Sequence, residues 1–189
     1  MNSGKLRTLI DEIRRSVVPQ ARALRERDAL IPTAFYYRSE DDQVVAQMLS
    51  DRPSFHDRAH KEIAAAMITA ACRKVGAWAL LVVVDADYWD LHEDAHERVG
   101  MTRDQFVKRI NHDHEWLSEH RDALGVHHEA ISFRLESLFG DWSATLVYQR
   151  HERYGFVWAP LQENDIDALT MSEGQFANLF PPPQTHARA

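Results

Sequence analysis

The stretch from Ala130 to Trp158 constrains the fold more than any other part of this chain. AISFRLES alternates, setting Ile131, Phe133 and Leu135 on one face and Ser132, Arg134 and Glu136 on the other. WSATLVYQR gathers Trp142, Ala144, Leu146 and Tyr148, and YGFVW gathers Tyr154, Phe156 and Trp158. A period of two puts successive side chains on opposite sides of a pleated strand, so each run reads as a strand with one face toward a core. The connections, at Gly140-Asp141 and His151-Glu152-Arg153, are too short for crossover helices. Three antiparallel strands in sequence order follow, a C-terminal meander.

Other elements build around it. LLVVV (Leu80 to Val84) does not alternate, which suits a central strand covered on both faces. TAFYYRS and QVVAQMLS, separated by Glu40, Asp41 and Asp42 and bracketed by Pro32 and Pro53, predict a hairpin. Leu6, Leu9, Ile10, Ile13 and Val17 recur at helical spacing, and Pro19 is expected to break or kink a helix that continues to about residue 27. A second helix is predicted near 55–75, with Ser54 and Asp57 as a weak start signal and Gly76 as its cap. Its inward face would be Ile63, Met67, Ala70 and Ala71. Thr102 and Gln105 form a T-x-x-Q capping box, opening a third helix to about Leu124 with Phe106, Ile110 and Leu117 inward and Gly125 as its stop. The whole is read as a single α+β domain over 1–189: an antiparallel or mixed sheet of about six strands and three main helices, near 3–27, 55–75 and 102–124. Residues 1–29 supply an amphipathic N-terminal helix, and 160–189 a largely irregular, proline-containing tail.

Composition narrows the function classes. A net charge of −7 gives no general pull toward phosphate backbones or anionic membranes, so neither nucleic acid nor membrane is an expected partner. G-x-S-x-G, Walker-type and G-x-G-x-x-G loops and paired C-x-x-C are absent, which removes the usual nucleophile and nucleotide signatures. The single cysteine, Cys72, lies in AAAMITAACRKVG, where a buried inert thiol is expected. The N-terminal stretch has no apolar h-region, and the longest apolar run, AWALLVVV, is too short to span a bilayer. A soluble, cytoplasmic protein is the expectation.

One motif carries chemistry on its face. HEDAH, from His92 to His96, matches H-E-x-x-H, in which two histidines four apart on a helix hold zinc and the glutamate, here Glu93, serves as base. A third ligand would come from His112, His114, Glu115, Glu119 or His120. Against this, Gly100 stands one place too late for the extended motif, Arg103 occupies the position of the third histidine, and the flanks are charged on nearly every side. Eleven histidines also make a chance match ordinary, so a solvated turn is the favoured reading. Asp85 and Asp87, past LLVVV, would share one strand face and are the second candidate for a divalent metal, with caps and loop contacts as the commoner role for such residues. His112, Trp116 and His120 share a helical stripe that suits ligation or stacking.

An aromatic hairpin is followed by FHDRAHKEI, then a helix ending in V-G-A, then VVVDADYW, and later HHEAISFRLES. This order resembles small uncharacterised proteins encoded by bacteria and their phages. The likeness covers about 30–90 and 127–160 and implies no activity and no catalytic residues. It does imply that the region from Leu91 to Leu124, HEDAH included, is where such proteins vary in length. The leading expectation is a non-catalytic interaction or accessory protein, of a phage or mobile element, acting on another protein, with a homo-oligomer open. It rests on the aromatic residues Trp142, Tyr148, Tyr154, Phe156 and Trp158 and on a partly detachable N-terminal helix. The alternative is a zinc-dependent hydrolase using His92, Glu93 and His96; otherwise no cofactor is expected.

Overall fold

The computed structural model describes residues 2–49, 58–112 and 114–164. In chain order, α1 (Asn2–Glu12), a π-helical turn (Ile13–Val17) and α2 (Val18–Glu26) lead into β1 (Thr33–Arg38) and β2 (Val44–Met48). α3 (Arg58–Val75) precedes β3 (Ala77–Leu91), which is followed by α4 (Ala95–Arg98), α5 (Arg103–His112), α6 (His114–Glu119) and α7 (Arg121–Leu124). β4 (Gly125–Ser137), β5 (Gly140–His151), β6 (Gly155–Trp158) and β7 (Gln162–Asn164) complete the described chain. The protein is α+β. Its strands form one sheet in the order β2-β1-β3-β4-β5-β6, with β7 also paired to β5. The pairings of β1 with β2 and β3, and of β5 with β6 and β7, are antiparallel. The predicted hairpin and meander are both present. No helix among the described residues is long and apolar enough to cross a membrane.

Backbone contacts divide the chain into two compact units. The first runs to Asp85 and adds Ile131–Thr145 and the segment from Leu161; the second comprises Ala86–Ala130 and Leu146–Pro160. In the first, Ile68 and Cys72 of α3 pack on Ala34, Tyr36, Leu80 and Val82. On the opposite face the Lys5 ammonium of α1 lies 4.4 Å from the Trp78 ring centre. Trp78 in turn meets Tyr37 and Phe139. Two covered faces explain LLVVV, whose first four residues, Leu80 to Val83, are all buried.

The N-terminal helix is part of this core rather than an appendage, since Leu6, Leu9, Ile10 and Ile13 are all buried. Pro19 is met by a change of helical pitch: the Val18 N–H donates to the Ile13 carbonyl, five residues back. Such a π turn accommodates a proline that cannot donate to the ladder. Arg14 in that turn grips Glu163 of β7 through Nε at 2.9 Å from Oε1, and Trp142 Nε1 donates to Glu163 Oε2 at 3.0 Å. The arginine, ahead of the indole N–H, holds the Glu163 carboxyl below its ordinary range.

The second unit has its own small core of Ala95, Phe106, Trp116, Leu117 and Leu124. The capping box forms as expected: the Thr102 N–H donates to Gln105 Oε1 at 3.1 Å and the Gln105 N–H to Thr102 Oγ1 at 3.3 Å. The predicted helix over 102–124 is instead divided into α5, α6 and α7. β6 begins only at Gly155, so Tyr154 sits in the preceding turn and is 68% exposed rather than sharing a strand face with Phe156 and Trp158. Ser54 and Asp57, the expected start of α3, and the tail beyond residue 164 lie outside the described residues.

Candidate functional site

HEDAH does not lie on one helix. His92 leaves β3, its N–H donating to the Leu124 carbonyl at 2.9 Å, and Glu93 and Asp94 form a turn. Only Ala95 and His96 belong to α4, a single turn of four residues. His92 and Glu93 are exposed, whereas His96 is half-buried with its ring 6.4 Å from that of Phe106. The carboxylate that is engaged here is Asp94, which accepts from Arg98 Nε at 2.8 Å and is held below its usual range first by that bond. Among the described residues no three histidine, cysteine, aspartate or glutamate side chains are grouped to hold a metal ion. The side chains of His112, His114 and Glu115 lie outside the described set; Glu119 is exposed, and His120 stacks on Trp116 at 4.6 Å. At the last two positions of the stripe of His112, Trp116 and His120 the stacking is internal, because Trp116 is buried, with the Arg109 guanidinium 5.3 Å from the same indole. Protein purified without a histidine tag is expected to carry well under one zinc per chain by elemental analysis. A stoichiometric zinc lost in His92→Ala would instead install the hydrolase.

Asp85 stands in mid-strand rather than past a strand end, because β3 continues six residues further to Leu91. Its carboxylate Oδ1 lies 3.4 Å from Arg25 Nε of α2, so it has a structural partner. The side chain of Asp87 lies outside the described residues.

A different acidic pair was not singled out by sequence. Glu136, on the polar face of AISFRLES, is buried and accepts from Arg134 Nε at 2.8 Å. Asp141 stands just past the turn that Ser137 closes with Gly140, its Oγ donating to the Gly140 carbonyl at 2.6 Å. Although exposed by area, the Asp141 carboxyl is raised above its ordinary range, first by lost hydration and then by the Glu136 charge. A carboxyl raised by folding leaves stability untouched below the ordinary carboxylate range and costs stability above its folded value. Asp141→Asn is therefore expected to raise the melting temperature at neutral pH and to do little in acid. The gain should not exceed about 1 kcal/mol, because water screens an exposed group.

The least satisfied surface is apolar. On α3, Ile68 and Cys72 face the sheet while Ile63, Ala66, Met67 and Ala70 face away from it. Ile63 is 59% exposed and Met67 54%. The expected inward face of this helix was thus mostly its outward one. A readable signal existed: from Ile63 to Cys72 there are ten residues without a charge, which is apolar all round rather than on one stripe. Cys72 is buried as expected, its thiol pushed up to about 12 by burial and then by the Glu136 charge. β2, at the end of the sheet order, leaves Val44, Val45 and Met48 exposed. Of the aromatic residues that suggested a contact surface, Tyr154 is exposed and Phe156 and Trp158 are half-buried. Trp142 and Tyr148 are buried, each in its own unit, and Tyr148 packs on Trp158 at 5.0 Å. No family model, curated protein or solved structure matches the chain.

Proposed function

We propose that this chain is a non-catalytic interaction module that binds an apolar helix of another protein through the outer face of α3. The supporting observation is the stripe of Ile63, Ala66, Met67 and Ala70, exposed at a spacing that continues one side of the helix. A helix apolar on both sides belongs between two layers, and only the sheet layer is among the described residues. Ala66 and Ala70 beside the larger Ile63 and Met67 form a ridge with a shallow groove, the relief into which a second helix packs. Contact area of this kind, with few charges at its centre, is what distinguishes the middle of an interface.

A photo-reactive amino acid at position 67 tests the reading in the producing cells. The expected result is one saturable adduct, which the purified partner reproduces and which Ile63→Glu weakens at least tenfold. An adduct yield at 67 no higher than at exposed Arg22 would refute it. Both positions are exposed, so Ile63→Glu should leave folding within about 0.5 kcal/mol of the parent.

A further inference from the structure

The hydrogen-bond register of β2 suits one further occupant. β1 and β2 pair as Thr33 with Met48 through Tyr37 with Val44. The ladder bonds at its ends are Arg38 N–H to the Gln43 carbonyl at 3.0 Å and Leu49 N–H to the Pro32 carbonyl at 2.8 Å. Because bonded and non-bonded pairs alternate along an antiparallel ladder, Val45 and Gln47 bond inward to β1, and the backbone groups of Val44, Ala46 and Met48 point outward. These three residues are also exposed, Met48 by 71%. None of the five residues of β2 is charged or proline, so those two guards of a sheet edge are missing from the strand. Gln47 is occupied, its Oε1 accepting from the Tyr36 hydroxyl at 2.6 Å on the other face.

We propose that β2 is a homodimer edge, pairing antiparallel with β2 of a second copy about a two-fold axis through Ala46. The outward groups are self-complementary about that residue: Ala46 meets Ala46 of the second copy, and Val44 meets Met48 in both directions. Each such pair exchanges two hydrogen bonds, about six in all, and satisfies every outward N–H and C=O of the strand. A two-fold operator needs this kind of self-matching patch. Two chains of net charge −7 repel at long range, and an uncharged strand is the surface on which they can meet without opposing like charges. The β2 edge is a surface separate from the outer face of α3, so failure of either proposal leaves the other standing.

The test uses the full chain. Sedimentation should give a dimer mass that dissociates on dilution. Ala46→Cys should let a short bis-maleimide link that dimer covalently, since a bonded antiparallel pair sets Cα atoms about 5.5 Å apart. Cys72 is buried and should take no part. Ala46→Pro removes only an outward N–H at an edge, where proline is tolerated, and should yield a folded monomer. Met48→Lys should weaken the dimer at least tenfold by setting a charge in the pairing strand. A monomer at every concentration overturns the proposal, as does a dimer that Ala46→Cys does not cross-link. Hydrogen-exchange protection of β2 that appears only with a different protein overturns it as well.

Discussion

Replacing Gly125 with alanine should cost the fold about 4 kcal/mol or more, among the largest effects any single substitution can have here. The residue joins the end of α7 to the start of β4, with φ 148° and ψ −154°, a region that is in practice closed to side chains. Space is the second obstacle. A Cβ built there would stand 2.1 Å from the Asp90 carbonyl oxygen and 3.0 Å from Leu91 Cα. Both are backbone atoms, so no flexible side chain can swing aside. Relief would require β3 and the start of β4 to separate where the His92 N–H bonds to the Leu124 carbonyl at 2.9 Å. Gly100 is the control: its φ of 68° also favours glycine, but nothing lies within 4 Å of its added Cβ. Gly100→Ala should therefore cost only about 1 kcal/mol, the backbone penalty alone. Urea unfolding of the two variants in parallel separates conformation from collision. Equal losses would mean that β3 and β4 are not held in this approach.

Close approach of that kind is what sequence patterns do not carry. Gly125 is legible as a helix stop, but the collision with Asp90 depends on a strand thirty-five residues earlier in the chain. Local signals fared better. Alternation placed Ile131, Phe133 and Leu135 in the core, and the reciprocal Thr102 and Gln105 bonds needed only four residues to be recognised. LLVVV was legible because a strand covered on both faces has no polar side to display. The inward face of α3 is illegible for a related reason. When a helix is apolar on both sides, period alone cannot say which side meets the sheet, and the sheet took Ile68 and Cys72. HEDAH shows the complementary failure. Its letters fit a helix, but β3 runs to Leu91 and leaves no room for a helix to begin before Ala95. Motif spacing becomes geometry only when the backbone between the letters is helical.

The two carboxylates of the β4–β5 hairpin give the other large effect, because one of them is buried. Arg134→Leu should destabilise the protein by about 3 kcal/mol at neutral pH, the lower part of the range for removing one partner of a buried ion pair. Glu136 is 4% exposed, and Arg134 lies two residues away on the same strand face, so the pair forms within one element. Removing the guanidinium leaves a carboxylate in a low-polarity setting, with Asp141 nearby adding a like charge. Part of Arg134 reaches solvent, and water can replace some of what is lost, which is why the lower end applies. Two further variants separate charge from shape. Arg134→Lys keeps the positive charge but not the planar fork, and should recover part of the loss. Glu136→Gln in the Arg134→Leu background removes the remaining buried charge and should recover part of it. A double variant as unstable as Arg134→Leu alone would assign the loss to packing of the arginine stem against the sheet rather than to its charge.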